Sequence, residues 1–177
     1  MANRAFYYVD GIPTKGMWID LDDINDTDEV LQHLAEEKLI PVDEDGEQNY
    51  GGDLLVADIE GPLVECFYSS RCDSLDLSGF VEARDYCKGD EDKEEAVAEF
   101  IENVAGSGPF SSDDFESAYC GEYDSEEEYA KQLVDDLGYL DQIPENLRFY
   151  FDYEKFARDL FINDCYFSNG HVFNRNY

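Results

Sequence analysis

Short runs of apolar or alternating residues, typical of β-strands, recur in the first part of the chain. They lie at residues 5–9, 16–21 and 53–60. A turn at residues 11–13 and a polar, loop-like stretch at residues 41–52 separate them. The pattern predicts that residues 1–62 form a small antiparallel sheet with one helix.

Asp26 marks the start of the helix in this first region. A short acceptor side chain followed three residues later by a glutamate, here Glu29, is typical of a helix N-terminus. The apolar residues that follow share one helical face: Val30, Leu31, Leu34 and Ala35.

From about residue 74 the apolar residues adopt a helical period. One helix is predicted to end near Cys87, and Asp92 is predicted to cap the next one. The apolar stripe of this second helix comprises Ala96, Val97, Phe100, Ile101 and Val104. Gly106 lies beyond its end, and residues 106–109 favour a joint. Residues 63–108 are therefore predicted to be a helical domain.

The last region, residues 109–177, mixes helical and strand signals. A short helix is predicted over residues 112–119 and a strand over 120–123. Ser125 with Glu128 forms a capping box, and Gly138 ends the helix that it starts. Later signals are Pro144 at a short helical piece, Asp152 as the cap of a helix over 153–161, and a hairpin turn at Asn169-Gly170. The fold class is α+β, in three small domains.

The net charge of the chain says more about its function than any single motif does. The chain has 44 acidic and 12 basic residues, which gives a net charge of −32. Hydrophobic residues at 43% and aromatics at 15% are too many for a disordered acidic tail, so a folded core is expected. Such a charge repels nucleic acid and anionic membranes and attracts basic surfaces. We therefore expect no direct nucleic-acid binding and no membrane binding.

The negative charge is spread along the whole chain. Residues 1–72 carry a net −13, residues 73–111 carry −8, and residues 112–177 carry −11. A duplex carries one charge per ~1.7 Å of axis, so the same charge corresponds to about 54 Å, or some 16 base pairs. A chain of this kind could occupy a DNA-binding protein by imitating DNA.

Three simpler interpretations of the acidic residues stay open. A run of charges is usually a solvated face, and adaptation to high salt also enriches Asp and Glu. Calcium binding is the third, but the acidic stretch at residues 43–46 fails the EF-hand spacing because Pro41 would take the first loop position.

The sequence offers little for catalysis. The five cysteines form no CxxC pair, and the two histidines stand in no nucleophile or metal motif. His171, beside the hairpin turn, is interpreted as a surface residue. The chain lacks a phosphate-binding glycine loop, and it shows no signal peptide or membrane span. We expect a cytoplasmic protein with free thiols that is not an enzyme and needs no cofactor or metal, although an enzyme using a carboxylate pair remains a weaker hypothesis.

Several stretches resemble the ArdA antirestriction proteins. They are Phe80-Val-Glu-Ala-Arg-Asp85, Ala118-Tyr-Cys-Gly-Glu-Tyr-Asp-Ser-Glu-Glu127, Ile143-Pro-Glu-Asn-Leu147, Tyr150-Phe-Asp-Tyr-Glu154, Phe156-Ala-Arg-Asp-Leu160 and Gly170-His-Val-Phe173. The N-terminal match is looser: Gly16-Met-Trp-Ile-Asp-Leu21 and Ala57-Asp-Ile-Glu-Gly61 are similar to two family segments. Ile59 replaces a family tyrosine.

The resemblance implies a fold, a target and a mechanism. ArdA proteins are carried by mobile genetic elements and inhibit type I restriction–modification enzymes by mimicking bent B-form DNA in the groove of the methyltransferase core. The family fold is an elongated string of three small domains that dimerises through the C-terminal one. The antirestriction motif aligns with residues 136–150, where Leu137, Ile143 and Leu147 are interpreted as structural and Arg148 is a basic departure.

We expect the phosphate-mimicking acids to be those that flank the capped helices of the last region. They are Glu126, Glu127, Glu128, Asp135, Asp136, Asp141, Glu145, Asp152, Glu154 and Asp159. The alternative function is an acidic decoy or chaperone for another basic protein, such as a nucleoid, transcription or CRISPR protein. The expected partners are a type I restriction–modification enzyme and a second copy of the chain.

Overall fold

A computed structural model of the chain describes residues 3–9, 15–42, 52–106 and 108–177. It divides into unit 1, Met1–Ala98 with Gly108–Phe110, and unit 2, Glu99–Ser107 with Ser111–Tyr177. Eight helices and three small antiparallel sheets occur among the described residues, so the predicted α+β class is confirmed. The division into three domains stays a prediction.

Three antiparallel strands form the sheet of unit 1. They are β1 (Arg4–Val9), β2 (Gly16–Asp20) and β3 (Leu54–Glu60), in the order β2-β1-β3. Alternate residues point to opposite faces of a strand, so Ala5 and Tyr7 are buried while Arg4 is exposed. All three strands were predicted from sequence. The turn expected at residues 11–13 and most of the expected loop at 41–52 lie outside the described residues.

Helix α1 (Thr27–Glu36) starts at the predicted cap, Asp26. The Asp26 carboxylate accepts a hydrogen bond from the backbone N–H of Glu29 at 3.0 Å. The Glu29 carboxylate accepts in return from the backbone N–H of Asn25 at 2.7 Å, one residue earlier than in the usual capping box. These bonds fix the residue at which the helix begins, and with it the position of the apolar face that buries Val30 and Leu34.

The rest of unit 1 contains three elements too short for a periodic signal and two longer helices. These elements are α2 (Pro62–Glu65), β4 (Tyr68–Ser69), β5 (Ser74–Leu75), α3 (Leu77–Cys87) and α4 (Glu91–Asn103), and the two units divide within α4 after Ala98. The prediction that Asp92 caps α4 is wrong. The carboxylate of Asp90 accepts from the backbone N–H of Lys93 at 3.3 Å, which places Asp92 in the first turn.

Arg84 of α3 forms hydrogen bonds that link this helix to the segment after β2. Its buried guanidinium donates to the backbone carbonyl of Leu21 at 2.8 Å and also to that of Ile24. Further donations reach the side chains of Asn25 at 3.1 Å and Asp85 at 2.7 Å. Because its donors are matched by acceptors, the buried charge is satisfied and the position is structural.

Unit 2 contains four helices after α4 and a three-stranded sheet. Its elements are α5 (Ser112–Ala118), β6 (Tyr119–Glu122), α6 (Glu126–Asp136), α7 (Glu145–Arg148), α8 (Tyr153–Asn163), β7 (Cys165–Ser168) and β8 (His171–Asn174). The strand order is β6-β8-β7. Asn169 and Gly170 have φ of +47° and +86°, as a tight hairpin turn requires, so the predicted hairpin is confirmed.

The central strand β8 organises the core of unit 2. Val172 and Phe173 are fully buried, and the Phe173 ring lies 6.0 Å from that of Phe100. His171 is buried as well, with its Nδ1 atom 3.1 Å from the hydroxyl of Tyr119. The interpretation of His171 as a surface residue is therefore wrong, because β8 is the central strand of its sheet and the Tyr119 ring lies 5.9 Å from the imidazole ring.

Candidate functional site

All ten acidic residues predicted to imitate phosphates belong to unit 2, and all are exposed. They occupy α6, α8, the start of α7 and the segments that join these helices. Exposure is what a charge-recognition surface requires, because a buried carboxylate could not meet a partner's Lys or Arg. Their role in binding stays a prediction.

Four of the ten acids line one open cavity of about 670 Å³ at the N-terminal ends of α6 and α8. They are Glu126, Glu127, Asp152 and Glu154. Ser125 caps α6 by accepting from the N–H of Glu128 at 3.2 Å, and Asp152 caps α8 by accepting from Lys155 at 2.9 Å. The two caps fix where α6 and α8 begin, so these four carboxylates lie at the first turns of the two helices.

The other six acids do not line this cavity. Asp135 and Asp136 lie in the last turn of α6, Asp141 follows that helix, and Glu145 begins α7. The remaining two are Glu128 and Asp159.

Five of the ten carboxylates have partners within the chain. Glu127 pairs with Lys131 at 2.6 Å, and Glu128 accepts from the backbone N–H of Asp124 at 2.8 Å. Asp141 and Asp159 lie 3.8 Å from the guanidinium groups of Arg148 and Arg158, and Asp152 caps α8. The other five form no hydrogen bond or ion pair with any described residue: Glu126, Asp135, Asp136, Glu145 and Glu154. We call these five the unpaired carboxylates.

The C-terminal end of α6 concentrates negative charge. Gly138, with φ of +62°, allows Tyr139 N–H to bond the carbonyl of Val134 at 3.1 Å, which closes the helix at the predicted residue. The last turn holds Asp135 and Asp136 and no basic residue. The C-terminus of a helix already carries partial negative charge, so these acids are repelled by it. A cationic partner bound at this point would reduce that repulsion.

Large apolar side chains are also exposed in unit 2. Phe149 is 89% exposed, Tyr150 78% and Ile162 64%. Leu137 and Leu147, interpreted as structural from sequence, are 55% and 49% exposed, so neither is a core residue. The sequence did not reveal this surface, because isolated apolar residues beside a one-turn helix look like core residues.

No group of three or more His, Cys, Asp or Glu in the described part of the chain could hold a metal ion. Burial raises the pKa of the Cys87 thiol to about 12 and that of Cys165 to about 11, which suppresses the reactive thiolate. No helix among the residues described is long and apolar enough to cross a membrane.

Fold and surface together define a strongly acidic α+β protein with exposed, partly unpaired carboxylates. A family model described as "Antirestriction protein (ArdA)" matches residues 5–173 of the 177. The chain therefore belongs to the ArdA family of antirestriction proteins, as its resemblance predicted. The family implies an antirestriction function exerted on restriction–modification enzymes, and it is not known as a family of enzymes. A search of curated proteins finds no match to this chain.

Proposed function

We propose that this chain inhibits type I restriction–modification enzymes by imitating B-form DNA in the binding groove of the methyltransferase core. The observation that carries the proposal is the set of five unpaired carboxylates within an exposed acidic surface of unit 2. A carboxylate without an internal partner is free to meet a Lys or Arg that would otherwise bind a phosphate.

The mechanism is competitive occupancy. Exposed ion pairs contribute only ~0.2–1 kcal/mol each, so inhibition depends on many acids rather than on one. The net charge of −32 is large enough for this. Association of opposite charges is screened by salt, with a Debye length of ~10 Å at 0.1 M, so binding weakens as ionic strength rises.

A displacement assay tests the proposal. A purified type I methyltransferase is bound to a fluorescent duplex that contains its recognition site, and the chain is titrated in at two salt concentrations. Direct affinity for the enzyme is measured by calorimetry in the same buffers, and polyglutamate of equal charge serves as the control. We expect DNA to be released by the chain well before polyglutamate releases it. Binding to the enzyme without release of DNA would refute competitive mimicry.

We also propose that the chain acts as a homodimer that associates through unit 2. The exposed rings of Phe149 and Tyr150, whose centroids lie 5.7 Å apart, support this, because adjacent exposed aromatic rings form a contiguous apolar patch, and large patches of this kind mark interfaces. A dimer would also double the length of duplex whose charge the protein matches. Light scattering at micromolar concentration distinguishes the two states, and a monomer under those conditions would contradict the proposal.

A further inference from the structure

Trp18, the single tryptophan of the chain, lies on strand β2 of unit 1 and is 39% exposed. A mechanism in which carboxylates imitate phosphates assigns no role to the Trp18 side chain. Tryptophan is among the residues most often found at the energetic centre of protein interfaces. An exposed indole on an acidic protein therefore suggests a contact made through the aromatic ring, in addition to the charge pairs made by the carboxylates.

A cavity of about 430 Å³ opens beside Trp18, between β2 and α1. Its volume falls within the ~300–1,000 Å³ of typical ligand-binding clefts. Besides the indole, its lining includes three carboxylates, those of Asp20, Asp23 and Glu29. Asp20 and Glu29 each use one oxygen to accept a backbone N–H, whereas Asp23 has no side-chain hydrogen bond or ion pair with a described residue. The cavity thus combines an aromatic wall with negative charge.

Arg4 is an example, within the chain itself, of a cation that contacts both an indole ring and a carboxylate. Its guanidinium carbon lies 5.6 Å from the centre of the Trp18 ring, and the same group forms an ion pair with Glu60. A guanidinium on an indole with a carboxylate nearby is a favourable arrangement, because the planar cation stacks on the ring while its N–H groups face the acid. Arg4 is not part of the cavity lining, so the portion of Trp18 that faces the cavity is open.

We propose that this cavity binds an arginine side chain on the surface of the restriction–modification enzyme. The inference rests on the proposed function for the identity of the partner. Charge complementarity selects a cation, and the indole favours arginine over lysine, since guanidinium is more weakly hydrated and stacks better than ammonium. This contact supplies an aromatic anchor in unit 1 that is separate from the carboxylates of unit 2.

Trp18 itself is the reporter for the test, because no other tryptophan contributes to the emission of the chain. Two tryptophan-free peptides of equal length and charge, one rich in arginine and one in lysine, are titrated into the full chain. We expect the arginine peptide to change Trp18 emission and to bind about two- to fivefold more tightly, which corresponds to an exposed cation–π contact. Equal affinities and equal emission changes for both peptides would overturn the proposal.

A matched pair of variants separates the cavity from general charge. Asp23→Asn removes a carboxylate of the cavity, and Asp58→Asn removes an exposed carboxylate on β3 of the same sheet that does not line the cavity. We expect Asp23→Asn to weaken binding of the arginine peptide about 1.4- to 5-fold, because the cavity loses a carboxylate, and Asp58→Asn to leave that binding nearly unchanged. Equal loss in both variants would show that only net charge matters and would overturn the site.

Three further outcomes complete the test, and the last two keep this inference distinguishable from the proposed function. A change of Trp18 emission on dilution of the chain alone would place a second copy in the cavity and overturn the arginine site. Displacement of DNA without any arginine preference would refute the site and leave the proposed function intact. An arginine preference without displacement of DNA would support the site and refute the proposed function.

Discussion

Asp152 is both a helix cap and one of the ten predicted phosphate mimics, and substitutions can separate these roles. Its carboxylate accepts the N–H of Lys155 at 2.9 Å and so fixes the start of α8. Asp152→Ala removes this bond together with the charge. Asp152→Asn keeps an acceptor of the same geometry, because Asn and Asp are equally good N-caps, and removes only the charge.

The expected magnitudes follow from the cap. Losing an N-cap costs ~0.5–2 kcal/mol, and we expect about 1 kcal/mol for Asp152→Ala, equivalent to about 2–4 °C in Tm for a chain of this size. Asp152→Asn gives up a favourable interaction with the helix dipole, worth ~0.3–1 kcal/mol. It also relieves repulsion from Glu126, Glu127 and Glu154 around the shared cavity, so we expect little net change.

Thermal unfolding followed by circular dichroism at low and high salt measures these changes, and DNA displacement from a type I methyltransferase measures inhibition. We expect Asp152→Asn to retain the Tm and to weaken inhibition only slightly, as Glu154→Gln should. If Asp152→Asn lowers the Tm as much as Asp152→Ala, the charge and not the geometry of the cap holds α8. If Asp152→Asn abolishes inhibition in a folded protein, distributed mimicry is refuted.

Three more predictions follow from the structure. Neutralising the unpaired carboxylates one at a time should weaken inhibition about 1.4- to 5-fold each, and neutralising them together should weaken it progressively, as DNA displacement will show; an undiminished quintuple variant would contradict this. The Arg84→Met variant should lose about 1–3 kcal/mol of unfolding free energy in urea titrations, because the Ile24 carbonyl loses its buried donor while the Leu21 carbonyl keeps the N–H of Ile24 at 3.3 Å. The control Arg158→Met, at an exposed position, should stay within ~0.5 kcal/mol. Burial raises the pKa of Cys87 from 9.0 to about 12 and that of Tyr7 from 10.0 to about 12, so the folded state holds these protons more tightly than the unfolded state. The resulting stability should be complete below about pH 9 and decline between pH 9 and 12 in denaturant titrations, and an unchanged midpoint over that interval would count against it.

Local chemistry made much of the fold predictable from sequence. Asp26, Ser125 and Asp152 cap the helices they were expected to cap, because the acceptor and its N–H donor lie within three residues of each other. The turn at Asn169-Gly170 was likewise predictable, since both positions need positive φ, which these residue types tolerate.

Features that depend on distant residues were missed or wrong. The burial of His171 follows from the central position of β8, which only the pairing with β6 and β7 reveals. The ion pair of Asp141 with Arg148 and the exposure of Phe149 depend on how the chain runs through α7, and no periodic signal encodes that. The ten acids predicted to imitate phosphates are exposed, as their charge suggested, whereas Glu94 is buried. Which carboxylates are paired became visible only in three dimensions.

The acidic end of α6 has a consequence for the evolution of such proteins. Replacing Asp135 or Asp136 with lysine would place a cation at the negative end of the helix, a change that normally stabilises a helix by ~0.3–1 kcal/mol. A lineage selected only for thermal robustness should therefore acquire basic residues at this position, and its affinity for cationic surfaces should fall as it does. Persistence of aspartate there across related proteins would indicate continuing selection by the partner rather than by the fold.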